Sequence, residues 1–86
     1  MASYKIIFKK SAVKELSDIP KKDLSRIIKR IQSLADNPRP AGSEKLAAQE
    51  CYRIRQGNYR AIYIIDDVNL TIDIFKIGHR CEVYRF

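Results

Sequence analysis

Apolar residues alternate with lysines at the start of the chain. Tyr4, Ile6 and Phe8 fall on one side of an extended backbone and Lys5, Ile7 and Lys9 on the other, which predicts a strand with one apolar face. The period then lengthens. Ser11 is placed to cap a short helix carrying Val13 and Leu16, although Lys14 stands where a capping-box acid would. Pro20 suits the first turn of a second helix. Its apolar positions Leu24, Ile27, Ile28, Ile31 and Leu34 recur at helical spacing, with Lys22, Arg26, Lys29 and Arg30 largely off that stripe. Asp36-Asn37-Pro38 ends it, because the residue before a proline resists helical backbone angles.

From Arg39 to Glu50 the sequence "RPAGSEKLAAQE" keeps no period and has Pro and Gly early. It predicts a surface connection with Leu46 turned toward the core. After it the period shortens to two. Tyr52 to Arg55 alternates, "QGN" supplies a turn in which Gly57 can take a positive φ, and Tyr59 to Ile65 is apolar on both faces once Arg60 is passed. "DDVN" at Asp66 to Asn69 makes the next turn. Leu70 to Ile77 is then the third strand of a meander, ended by Gly78, and "HRCEVYRF" adds a short extended piece or packs back on the sheet. The order strand, helix, helix, three strands predicts an α+β fold in one domain spanning residues 1–86. Two N-terminal helices pack on one face of a mainly antiparallel sheet of four or so strands.

Composition narrows what such a domain does. Hydrophobic residues make up 45% of the 86, enough for a folded core and too many for a disordered basic tail. Seventeen Lys and Arg against ten Asp and Glu leave a net charge of +7, which favours an acidic partner: nucleic acid, an acidic protein or an anionic membrane surface. No apolar run approaches the ~20 residues that span a bilayer, so a membrane is not expected. "MASYKIIFKK" has only a short apolar run closed by two lysines, so no secretory signal is read and a cytoplasmic location is expected. Cys51 and Cys81 are far apart and in no CxxC spacing; reduced thiols are the default, and a single bridge stays compatible with the sequence. One histidine and no Cys/His cluster argue against structural zinc, and no cofactor is expected.

The densest chemistry lies in "YRIRQGNYR", Tyr52 to Arg60, with three arginines, two tyrosines and no acid. Alternation puts Arg53 and Arg55 on one strand face, about 7 Å apart, and Tyr52 and Ile54 on the other, toward the helices. Two guanidinium groups at that spacing form a clamp of phosphate size. Arg60 opens the next strand and approaches the same surface if the register allows. Composition alone leaves two readings open, a wet sheet face and a polyanion site. A second basic group, "GHRCEVYRF", brings His79, Arg80, Tyr84 and Arg85 into one stretch, and the meander can bring the two groups together. Histidine suits proton transfer, arginine charge stabilisation and tyrosine stacking or proton shuttling. A lone histidine is also a common surface or capping residue, and Tyr84 a plain packed aromatic.

The runs "YRIRQGNYRAIYIIDD" and "IDIFKIGHRCEVYRF", with "YKIIFKKSAVKELSDIP" and "SEKLAAQE" before them, resemble the RelE branch of the RelE/ParE toxin superfamily over nearly the whole chain. The resemblance implies a toxin of a type II toxin–antitoxin pair. Such a toxin is a metal-independent endoribonuclease that cuts messenger RNA in the ribosomal A site by attack of a ribose 2′-hydroxyl on the adjacent phosphate. It implies a cognate antitoxin, the ribosome and mRNA as partners. At matching positions it makes Arg53 and Arg55 charge-stabilising groups, since arginine stays protonated and is a poor base. Arg60 becomes a phosphate contact, Arg80 a support for the leaving group, Tyr84 a stacking group, and His79 a candidate for proton transfer. Lys45, Arg53, Arg55 and Arg85 are the expected RNA contacts. With Phe86 only two residues beyond Tyr84, the tail is expected to be lightly held until it docks. Two rivals remain: a ParE-like inhibitor of DNA gyrase, against which the joined arginines and Tyr84 argue, and a non-catalytic RNA- or ribosome-binding module.

Overall fold

A computed structural model describes residues 3–46 and 51–79. The elements run β1 (Lys5–Phe8), α1 (Lys10–Leu16), α2 (Lys21–Gln32), a 3-10 turn (Ser33–Ala35), β2 (Glu44–Lys45), β3 (Cys51–Gln56), β4 (Tyr59–Asp66) and β5 (Thr71–His79). They build one sheet in the order β1-β5-β4-β3-β2. β1 lies parallel to β5, and every other neighbouring pair is antiparallel. This is the expected α+β fold with one strand more than the hydrophobic pattern reveals.

The helices cover one sheet face. Ala12 of α1 and Ile27 and Ile31 of α2, with Ile19 and Leu34 at the helix ends, close on Ile54, Tyr63, Ile65, Ile72, Ile74 and Ile77. The inward positions of β3 and β4 stack their rings, with Tyr52 and Tyr63 centroids 6.0 Å apart. Burying these isoleucines removes the largest apolar area from water and is the main term holding the layers together. The opposite face carries a smaller patch in which Leu46 and Phe75 pack on buried Cys51 and Ile62.

Four local expectations are corrected. Ser11 does not cap α1; Lys9 holds that position, and the Ser11 hydroxyl donates to the Phe75 carbonyl at 2.9 Å. Val13 is half exposed, and Ala12 is the residue α1 buries. The stretch read as a surface connection contains β2, whose two residues pair with β3. Gly78 continues β5 rather than ending it, while Leu70 stays outside the strand with φ 54°.

One more feature places the site. β1 pairs β5 only from Thr71 to Ile74, so the rest of that strand's edge would be bare. α1 follows β1 immediately and fills the gap with side chains. Ser11 satisfies the Phe75 carbonyl, and Glu15 Oε1 accepts the Ile77 N–H at 3.0 Å while its Oε2 takes Lys76 Nζ at 3.2 Å. Backbone groups that lack a strand neighbour thus find partners on a helix.

Candidate functional site

The site begins at the hairpin. Gly57 and Asn58 form a two-residue turn in which Gly57 takes φ +62°, the geometry that suits the twist of the flanking strands. That turn fixes the register Arg55↔Arg60, Ile54↔Ala61 and Arg53↔Ile62. Tyr52 and Ile54 go to the helical core, as their alternation predicts, and Arg53, Arg55 and Arg60 share the other face.

The three arginines differ in surroundings. Arg55 is exposed, the Arg53 side chain keeps 13% of its surface in water, and Arg60 only 9%. Arg60 Nε is buried and finds no hydrogen-bond partner among the described residues. On β5 its register partner is Gly78, which brings no side chain. A guanidinium held in this way next to a second one is electrostatically costly, because burial and a like charge both oppose it.

Glu44 enters the site from β2. It sits opposite Arg53 in register, Oε2 meets Arg53 at 2.5 Å, and Oε1 reaches Arg55 at 3.6 Å. The hydrogen bond from Arg53 and then its charge hold the Glu44 carboxyl below the usual range, with Arg55 adding to the effect. Nothing in the hydrophobic pattern singles this acid out, since a two-residue strand has no period to read. Lys45 is exposed on the same strand, in register with Tyr52, so alternation turns it away from the Glu44 side.

His79 does not join the arginines. It ends β5 in register with Tyr59, and the two rings meet edge to face with centroids 5.8 Å apart. Both line a cleft of about 240 Å³ with Glu15, Asp18, Ile19, Ile77 and Gly78, on the side where α1 lies. The row Arg55, Arg60, Gly78 crosses three strands, and His79 comes one residue later and points through the sheet to the other side. Arg80, Tyr84 and Arg85, like Cys81, lie outside the described residues. Cys51 is buried, and that burial pushes its thiol pKa up.

The family model described as "ParE toxin of type II toxin-antitoxin system, parDE" matches residues 6–84. The chain belongs to the RelE/ParE superfamily of type II toxins. Toxin RelG of Mycobacterium tuberculosis is 29% identical to it over 86 residues, 95% of this chain and 97% of that one. Putative toxin RelE1 of Methanocaldococcus jannaschii is 30% identical over 80 residues, 88% of this chain and 89% of its own. In the crystal structure of the toxin–antitoxin complex RelBE2 from Mycobacterium tuberculosis, a chain 26% identical superposes with a TM-score of 0.79, covering 91% of the toxin and 99% of that chain. These relatives put the toxin on the RelE-type branch, as the arginine and terminal motifs imply.

Among the toxin's described residues no three His, Cys, Asp or Glu side chains converge as a metal cage, and no helix is long and apolar enough to cross a membrane. The chemistry these residues offer is cationic: a buried guanidinium, two more within one hairpin, and one carboxylate set among them.

Proposed function

We propose that the toxin is a ribosome-dependent endoribonuclease that cuts messenger RNA in the ribosomal A site and so stops translation. The observation that carries this reading is Arg60, nine-tenths buried with an unpartnered Nε beside Arg55. Burying an unpaired charge opposes folding. A phosphate placed against the guanidinium groups of Arg60 and Arg55 would relieve the repulsion between them.

In this reading the ribose 2′-oxygen attacks the adjacent phosphorus, the bond to the 5′-oxygen breaks, and a 2′,3′-cyclic phosphate and a free 5′-hydroxyl result. The 2′-hydroxyl loses a proton and the departing oxygen gains one. Arg53, Arg55 and Arg60 stabilise the charge that grows on the phosphate oxygens. Arginine is a poor base, so none of the three takes the proton. Arg80 supports the leaving oxygen, Tyr84 stacks on the nucleotide and Arg85 extends the RNA contact, while Lys45 faces the other side of the sheet. His79, expected for proton transfer, faces the α1 side of the sheet and stands apart from this step. Holding the message in a reactive geometry falls to the ribosome. A cognate antitoxin with an acidic segment is the expected second partner, drawn by the +7 charge. The toxin's place is then the cytoplasm, where ribosomes translate.

Primer extension on a message bound to purified ribosomes tests this. Wild type should give cuts at the A site, and Arg60→Ala and Arg80→Ala should lose them while their circular dichroism stays unchanged. A folded wild type that leaves the message intact overturns the reading. The ParE description of the matching family supports a second reading, inhibition of DNA gyrase, which a supercoiling assay on the same preparations would reveal.

A further inference from the structure

Glu44 holds an unusual place for an edge-strand acid. Its two carboxylate oxygens divide between two guanidinium groups, Oε2 on Arg53 at 2.5 Å and Oε1 on Arg55 at 3.6 Å. A carboxylate presenting two oxygens to two guanidiniums satisfies the same donors as two oxygens of a phosphate. The carboxylate therefore sits where the hairpin's own geometry would seat a phosphate.

The contact is built to be reversible. Glu44 lies on a strand of two residues at the sheet's edge, and half of its side chain is exposed. An ion pair with one partner that wet is worth little, so leaving it weakens the fold only slightly. The arginines themselves are held by β3, which is paired along its whole length with β4. Displacement thus moves the acid and not the site.

We propose that Glu44 is an internal competitor for the phosphate seat of Arg53 and Arg55, which an RNA strand must displace to bind, so that this carboxylate lowers the toxin's affinity for RNA. The proposal rests on the reading of that arginine pair as an RNA-phosphate site. It adds a residue that lowers the resting affinity for any polyanion and leaves full affinity to a message positioned well enough to push the carboxylate aside.

The test is binding of a short single-stranded RNA, fully 2′-O-methylated so that it is not cut, to the intact toxin at fixed salt. Glu44→Gln should bind about two- to tenfold more tightly than wild type, the range expected from losing one surface-grade ion pair. Glu44→Ala should do the same, which separates competition from any hydrogen bonding by the amide. Asp36→Asn, at an exposed acid outside the sheet, makes the same change in net charge and should gain less than either. The gain should vanish when Arg53 and Arg55 are both alanine. Tighter binding that matches the Asp36→Asn control, or weaker binding in both Glu44 variants, overturns the competitor role. Arg53→Ala alone reports on the parent reading: if it binds as wild type does, the phosphate-site assignment itself fails, whatever Glu44 does.

Discussion

Arg60 is a charge kept inside a sheet, and its neighbours explain why the fold tolerates it. The aliphatic part of a buried arginine can pack as an apolar residue would, while Nε has no partner among the described residues. Replacing it by methionine keeps most of the volume and removes the unpaired group. Arg60→Met should therefore be as stable as wild type or more stable by about 1 kcal/mol, as when buried charges give way to apolar residues of similar size. It should also lose ribosomal cutting. Denaturant unfolding and primer extension on the same sample check both halves; a variant that unfolds more easily would show that the guanidinium has a stabilising partner. This residue and its companions Arg53 and Arg55 were legible in the sequence because period-two alternation assigns faces without knowing any partner strand. Glu44 was not, because its meaning depends on which strand lies beside β3. His79 was misplaced for a related reason: the meander gives proximity in the sheet but not which side of it a strand's last residue faces.

Among the elements, the β3–β4 hairpin fixes the site, and its turn is where it is most easily disturbed. A Cβ at Gly57 would meet nothing within 4 Å, so the cost of Gly57→Ala is purely that of holding alanine at φ +62°. That cost is about 1 kcal/mol. Because the two-residue turn also sets which arginines face each other, the variant should lose RNA affinity along with stability, readable as a lower midpoint in urea and a weaker binding isotherm. α1 offers a second test. Glu15→Ala would strip the acceptor from the Ile77 N–H, and a buried donor left unpaired costs about 1–3 kcal/mol. Amide exchange at Ile77 should then accelerate more than at Ile62, which lies between β3 and β5. The helical and central-strand periods announced these elements well. The substitution of a helix for a missing strand edge had no periodic signature, since it depends on single polar residues meeting backbone groups more than sixty positions away.

Across the whole molecule, protonation sets the limits of stability at both ends of the pH scale. Arg39 and Tyr4 hold Asp67 below the usual carboxylate range, the Asn69 N–H does so for Asp66, and Arg53 for Glu44. In the folded state these acids bind fewer protons than in the unfolded chain. Their contribution is complete above about pH 5 and is lost as pH falls through the folded values. Burial acts in the other direction on Tyr63, whose phenol is pushed up to about 12 and donates to the Pro38 carbonyl. Its contribution is complete below about pH 10 and is lost as pH rises toward 12. Urea midpoints should be flat near neutrality and fall on both sides; Tyr63→Phe should remove the Tyr63 part of the alkaline fall, and Asp67→Asn the Asp67 part of the acid one.

The register of the parallel pair has a kinetic side as well. Arg55 and Arg60 lie five residues apart along the chain, and hairpins of that kind close in about 1–10 μs. Among the described residues β1 pairs with β5 alone, and it seats only when Lys5 reaches Thr71 and Phe8 reaches Ile74. Closing so long a loop is the slow kind of contact. β1 is thus made well before the strand it pairs with. A chain halted before Thr71 holds the arginine hairpin without the strand that joins it to β1 and supplies Ile72, Ile74 and Ile77 to the core beneath the helices.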